Sequence, residues 1–479
     1  MDHGFVRSIA TSRLRLLVEH ARKHSPFYAR HYKHVPHDEF LHLADLPIVT
    51  KDMVMNEFDE FVTDRRISRA RVEEFLADPC QLGQALRPPS PEGACATGDA
   101  YAVWTSSGTS GKPGFFLHDE DALAVYDALQ VFRFRELQDP ARWGSLRSGE
   151  RFALVAATGG HFAGVSGLER LRNAYPWQAD RACVISLLQP LEQIVDQLNR
   201  FRPTQLATYP TVACVLGEEQ SAGRLQIDAE EVWCGGECLS ADSRKFLEQA
   251  FGARVREEYG ATEFPSLAVA CAAGCLHVNA DWAVLEAVDV HGEPVGPGEA
   301  SHSVLLSNLA NRVQPLIRYE LGDSITVRAD PCECGNPLPA IRVQGRGDDC
   351  VEFEGARAQA VRISPLALTT VLEEGAGAFD FQLEQCAPKV LRLYLGAAER
   401  AKAEAARRAL AAYLQHVGLA DIEIRTEDAN PRRAGAGAKL RRVVRTLAAA
   451  TTTPCAPDAP TRRTAAPTRD PRPGQPRAG

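Results

Sequence analysis

Between residues 151 and 263 the chain repeats one theme: a short apolar run, a turn, then an amphipathic stretch. The apolar runs are "RFALVAAT" (151–158), "ACVISLL" (182–188), "TQLATYP" (204–210), "AEEVWCGGE" (229–237) and "ARVREEYGATE" (253–263). "PLEQIVDQLNRF", "TVACVLGEEQ" and "SADSRKFLEQAFG" fall between them with helical spacing. Strands and helices alternating in this way need crossover connections. They predict an α/β fold with a mostly parallel, helix-flanked sheet. In such sheets the loops after the strands carry the ligand.

The flanks read differently. Residues 1–60 are helical, with "SRLRLLVEHARKHSPFYARHY" spacing its apolar residues by three and four. Residues 86–100 are a Pro/Gly loop. From residue 283 the pattern turns to strands and turns, which predicts a β-rich subdomain. Residues 350–450 mix strands with an Ala/Arg/Glu-rich helix at 397–415 and form a small α+β unit. Beyond 450 the composition of Thr, Pro, Ala and Arg cannot bury a core, so a disordered tail is expected. With 479 residues, more than one domain is expected: 1–345, then 346–450, then the tail at 451–479.

Charge and composition exclude some functions. The net charge is −8, and five Arg against two Asp in 452–479 leave the rest of the chain three charges more negative still. A nucleic-acid surface is therefore not expected. No apolar run is long enough for a membrane span and the start lacks a secretion signal, so the cytoplasm is the expected location. Thirteen cysteines in such a chain are expected to be free thiols or metal ligands, not a disulfide framework.

"TSSGTSGKPG" (105–114) is the stretch that most suggests chemistry. Backbone N–H groups, hydroxyls and an ammonium suit an anion. It is not a P-loop: Gly108 precedes Gly111–Lys112 by three positions only, and Pro113 stands where a Mg-binding hydroxyl should be. A plain surface turn is the alternative.

Five further segments accompany it, in order: "CGGE" (234–237), "EYGATE" (258–263), "IRYELGD" (317–323), "GRGDD" (345–349) and "GAKLRRV" (437–443). Together with "WTSSGTSGKPG" they resemble the motif series of the adenylate-forming (ANL) superfamily. The helical "HSPFYARHY", "PLIRY" and "PCECG" resemble its phenylacetate–CoA ligase-like members most. Glu320–Leu321 departs from the commoner Arg-Thr.

The resemblance implies roles. Thr105, Ser106, Ser107, Gly108, Thr109, Ser110, Gly111 and Lys112 would cradle the β- and γ-phosphates of ATP. Glu263 would hold Mg²⁺ and Thr262 would reach the α-phosphate. Tyr259 and Gly260, with Gly235, Gly236 and Glu237, would flank adenine. Asp323 would accept from the ribose hydroxyls, with Arg346 adding a contact. Asp348 would be the pivot of a small mobile C-terminal domain. Lys439 would bridge the substrate carboxylate and the α-phosphate. A turn for "YGATE", a surface ion pair for Asp323 and Arg346, and a solvated basic face around Arg432, Arg433, Lys439, Arg441 and Arg442 are the structural alternatives. The acid is expected between "ATGGHFAG" (157–164) and "ATYPT" (207–211), with His161, Phe162, Tyr209 and Pro210 as slot or core residues.

Cysteines flank the strand-rich segment in "CAAGCLH" (271–277) and "PCECG" (331–335). Cys271, Cys332 and Cys334 offer three of the four ligands a structural Zn²⁺ needs, and either His277 or Cys275 completes the set. Resemblance favours His277; buried free thiols are the alternative. Cys234 and Cys238 read as packing residues.

The expected function is ATP-dependent activation of an aromatic or aryl-alkanoic acid as acyl-AMP, followed by transfer to coenzyme A. Alternatives are a secondary-metabolism enzyme with an amine, carrier protein or nitrite-derived acceptor, and an inactive nucleotide-binding regulator. Resemblance also implies a homodimer.

Overall fold

A computed structural model describes residues 3–36, 42–89, 99–106, 114–133, 150–344, 351–354, 360–431 and 441–446. The helical start is present but divided. Helices α1 (His3–His24) and α2 (Pro26–His31) part at Ser25, whose hydroxyl accepts from Tyr28 N while Pro26 occupies the first helical position. Short helices α3 (Lys51–Asn56), α4 (Phe58–Phe61) and α5 (Arg69–Ala77) follow. They bury Tyr28, Tyr32, Phe58 and Phe61 in one core with Phe116 and Tyr319, residues from distant parts of the chain. Strands β1 (Ala102–Ser106) and β2 (Gly114–His118) form an antiparallel hairpin, followed by α6 (Glu120–Arg133).

The alternating region folds as its pattern predicts. β3 (Phe152–Ala156), α7 (Ala163–Ala174), β4 (Ala182–Ser186), α8 (Leu191–Phe201), β5 (Gln205–Thr208), α9 (Pro210–Ser221), β6 (Glu231–Gly235), α10 (Ala241–Phe251) and β7 (Arg254–Ala261) succeed one another. The strands lie parallel in the order β4-β3-β5-β6-β7. The chain steps outward from β3 to β4, then crosses back to β5 on the other side of β3. That reversal opens a crevice at the carboxyl ends of β3 and β5.

The sheet then continues beyond what the alternation shows. β8 (Phe264–Ala270) turns back antiparallel on β7 and β9 (Leu276–Val278) pairs with β8. β10 (Ala283–Val288), β11 (Ser303–Asn308) and β12 (Tyr319–Glu320) form a separate three-stranded sheet. β13 (Ser324–Val327) and β14 (Ala340–Gln344) return to the main one, with Ala340 opposite His277, so nine strands run β13-β14-β9-β8-β7-β6-β5-β3-β4. The strand-rich segment is thus shared between two sheets. Its pairings join residues about sixty positions apart, which local patterning does not encode.

The C-terminal part is α+β. A hairpin of β15 (Val351–Glu354) and β16 (Ala360–Ile363) leads to α11 (Pro365–Ala376). β17 (Phe381–Ala387), β18 (Val390–Leu395), α12 (Ala403–His416), β19 (Glu423–Glu427) and β20 (Val443–Arg445) follow. Its sheet runs β19-β18-β17-β20. Arg442 corrects the reading of a solvated basic face. It is buried, its Nη1 lies 2.6 Å from Glu373 Oε1, and its guanidinium stacks 4.0 Å from the Phe381 ring centroid. One buried cluster runs from Val155, Leu206 and Val232 to Leu368, Phe381 and Leu391 of this part. Among the described residues no helix is long and apolar enough to cross a membrane.

Candidate active site and metal centre

The turns after β3, β5, β6 and β7 lie side by side at the carboxyl edge of the parallel strands. They contain Ala157–His161, Tyr209, Gly236 and Glu237, and Thr262–Glu263. β1 joins them, because Thr105 N donates to His161 O at 2.8 Å. Ser106 pairs with Gly114 at the connected end of the β1–β2 hairpin, so Thr105 and Ser106 lead into residues 107–113. Ser107, Gly108, Thr109, Ser110, Gly111 and Lys112 lie outside the described residues, as do Arg346, Asp348 and Lys439.

Glu263 sits in the β7–β8 hairpin turn, where Ala261 opposes Phe264. A side chain at Gly260 would meet Pro265 O at 1.8 Å, so only glycine permits the two strands to close here. Glu263 is buried, 8 % exposed. Burial pushes its carboxyl above the ordinary range, while its own backbone N–H, the Lys51 ammonium and the Tyr319 hydroxyl pull it back. The site therefore holds one buried carboxylate with a cation and a donor beside it. Tyr259, also buried, donates from its hydroxyl to Asp323 Oδ2 at 3.0 Å. The sequence-derived candidates Glu263, Tyr259 and Asp323 are thus brought into one neighbourhood, with the Asp323 charge acting on Glu263.

Lys51 and Tyr319 were not singled out in the sequence. Lys51 opens α3, where Thr50 caps the helix by accepting from Met53 N. Its Cε lies 2.9 Å from where a β-carbon on Gly114 would stand, at the mouth of the hairpin. "VTKD" reads as an ordinary helix start, and the bridge of Val49 to Tyr319 helps carry it to Glu263.

The crevice between β3 and β5 is partly spanned by Tyr209, which makes a hydrogen bond with the Ala157 backbone. Burial pushes its hydroxyl up to about 12. Pro210 is buried at the first position of α9. Gly236, at φ +77°, lies under the Tyr209 ring, with a β-carbon there 3.0 Å from it. Glu237 turns its carboxylate to α9: Oε2 accepts from Thr211 N at 3.0 Å and Oε1 from Thr211 Oγ1 at 3.1 Å. His161 is buried with its ring 5.7 Å from Phe75 of α5, and burial pulls its imidazole down. Phe162 is half-buried, ahead of α7, with its ring near Gly160.

A second cluster stands at the β9–β14 edge. Cys271, His277, Cys332 and Cys334 bring one donor atom each within 4.8 Å of all the others. Cys271 Sγ and Cys332 Sγ are 3.8 Å apart, and Cys334 Sγ is 3.3 Å from His277 Nε2. His277 Nδ1 lies 2.8 Å from Leu338 O. A carbonyl only accepts, so Nδ1 carries the proton and the Nε2 lone pair faces the thiols. Cys275 is not one of these four: its thiol reaches Cys332, but its sulfur accepts from Arg328 Nη1 at 2.8 Å. Cys234 is buried, as a packing residue should be, whereas Cys238 is exposed with its thiol 3.1 Å from Val343 O.

The whole-chain comparison defines the class of fold. A 2-hydroxyisobutyryl-CoA ligase, solved with 2-HIB-AMP and CoA in its thioesterification state, superposes with a TM-score of 0.56 at 19 % identity, covering 92 % of this chain and 89 % of that one. Its postadenylation state with 2-HIB-AMP gives 0.52 at 19 % identity, over 91 % and 89 %. The chain has the fold of the adenylate-forming superfamily. By sequence it matches the CapK protein of Staphylococcus aureus at 24 % identity over 173 residues, 34 % of this chain and about a third (35 %) of CapK's length. No family model matches the chain.

Proposed function

We propose that the protein is an ATP-dependent adenylate-forming ligase that activates a carboxylic acid and passes the acyl group to a thiol, that of coenzyme A. A carboxylate is a poor electrophile because it would have to expel oxide. Its attack on the α-phosphorus of ATP breaks the bond to pyrophosphate and yields an acyl-AMP, from which a thiol displaces AMP. Both partners in the first step are anions, so the site must supply positive charge and in-line positioning.

The observation that most supports this reading is the convergence, at the carboxyl end of β7, of Glu263 beside Lys51 and Tyr319 with the Tyr259–Asp323 pair. On this reading Asp323 accepts from the ribose and Tyr259, Gly235 and Gly236 flank the base. Thr262 and the 105–112 loop, with Lys112, hold the phosphates, and Lys51 adds a fixed cation. Arg346 contacts the nucleotide. Lys439 enters for adenylation and leaves by rotation about Asp348. A buried carboxylate suits Mg²⁺, which takes one or two protein carboxylates together with substrate phosphates; Glu263 is the residue that would hold it, and the ion would neutralise phosphate charge. The crevice by Tyr209, Phe162 and His161 takes the acid, with an aromatic or aryl-alkanoic acid as the expected class. The Cys/His set offers the three thiolates and one imidazole that a closed structural Zn²⁺ shell uses; it would hold the β9–β14 edge and take no part in the chemistry.

The test is pyrophosphate release with ATP, Mg²⁺ and a panel of aryl, 2-hydroxy and short aliphatic acids, then with coenzyme A, amines, nitrite or a carrier protein added. Acid-dependent pyrophosphate, followed by AMP and a thioester with coenzyme A, is expected. ATP binding without pyrophosphate from any acid overturns the proposal. In the same assay Lys51→Met should raise the KM for ATP about tenfold, equal to about 1.4 kcal/mol, while the KM for the acid stays within twofold.

A further inference from the structure

We propose that His118, Tyr126 and Asn308 are positioning residues, a buried hydrogen-bonded relay that holds the Thr262–Glu263 turn in the shape its carboxylate needs to take Mg²⁺ with ATP. This rests on the adenylate-forming reading above.

The relay has one consistent direction. His118 Nε2 lies 3.1 Å from Thr262 O; a carbonyl only accepts, so Nε2 carries the hydrogen. His118 Nδ1 is then an acceptor and takes the Tyr126 hydroxyl proton across 3.2 Å. The Tyr126 oxygen accepts in turn from Asn308 Nδ2 at 2.8 Å. The other hydrogen of that amide goes to Glu263 O at 2.9 Å, and Asn308 Oδ1 accepts from Ala310 N at 3.0 Å. Reversing any one bond would set a donor against a donor or an acceptor against an acceptor. A buried network is stable only when every member is satisfied, and this one is.

Its two ends clamp successive carbonyls, those of Thr262 and Glu263. These are the two loop residues of the β7–β8 hairpin, so fixing both carbonyls fixes where the Glu263 side chain leaves the backbone. All three relay side chains are 2 % exposed or less. Trp104 covers the His118 ring at 4.1 Å between centroids. Burial takes the His118 imidazole down to about 3, so the single-proton form that the relay needs persists at any ordinary pH. His118 also ends β2, the strand that begins at Gly114, at the exit of the 107–113 loop. β2 therefore runs from Gly114, the residue after Pro113, to the contact with Thr262 O.

The experiment is calorimetric titration of ATP into the full-length protein at stepped Mg²⁺ concentrations, with near-UV circular dichroism to verify packing. Tyr126→Phe, the mildest change, should raise the half-saturating Mg²⁺ about fivefold, and Asn308→Leu tenfold or more. Mg²⁺-free ATP affinity should stay within twofold. His118→Phe should behave like Asn308→Leu, and His118→Gln, whose amide keeps a donor toward Thr262 O, should recover most of the loss. If the packed variants need no more Mg²⁺ than the parent while Glu263→Gln has lost its response to Mg²⁺, the relay is overturned alone. If Glu263→Gln itself responds to Mg²⁺ like the parent, the metal reading falls and the relay with it.

Discussion

Glu263→Gln should slow acid-dependent pyrophosphate release by about a hundredfold or more, the scale of removing one preorganised charge-stabilising group. The substitution keeps the shape of the side chain and an oxygen for the Tyr319 hydroxyl. It removes the negative charge on which the Lys51 ammonium acts. Because burial already pushes the Glu263 carboxyl toward its neutral form, removing the charge should not unfold the protein. Thermal melting should shift by no more than a few degrees. A variant that melts like the parent but turns over within threefold of it would remove Glu263 from the chemistry. Loss of rate with a collapsed melting profile would instead assign it a role in packing.

Cys332→Ser should abolish stoichiometric zinc and cost on the order of 3 kcal/mol or more of stability. Structural zinc contributes about 10–16 kcal/mol where it organises a whole small domain. Here it would join two tight turns, Cys271–Cys275 and Cys332–Gly335, at one edge of a nine-stranded sheet, so the smaller figure applies. His277→Asn should lose the metal as well. Cys275→Ser should retain it, since Cys275 lies outside the donor set and against Arg328. Metal content by mass spectrometry of the purified protein, with a melting curve before and after chelation, decides the matter. Zinc retained in Cys332→Ser, or lost from Cys275→Ser and kept in His277→Asn, would overturn the ligand assignment.

The parallel strands were readable because each is a short apolar run bounded by turns, with its helix next in line. The β7–β8 turn was readable in part: "EYGATE" marked Glu263 and Tyr259. The local pattern did not show that the chain reverses there and extends the sheet with β8, β9, β14 and β13. Cys332 and Cys334 form a knuckle visible in four residues. Their partners Cys271 and His277 needed a choice between His277 and Cys275, and that choice became geometric only when β14 paired with β9.

Lys51, His118 and Asn308 carry no local signature, and Tyr319 lies in a motif, "IRYELGD", that marks Asp323 but not its own contact with Glu263. Each is an ordinary residue of a helix start or strand, and each reaches the Thr262–Glu263 turn from more than forty positions away.

The amino-acid order alone determined the alternating α/β architecture, the turns that end its strands and the residue types gathered there, because periodicity and turn chemistry act over a few residues. The tertiary structure alone decided which cation stands beside Glu263, which carbonyls of its turn are held, and which of two candidates faces the three cysteines. Those are contacts between segments far apart in the chain, and they exist only once the sheets have paired and their cores have closed.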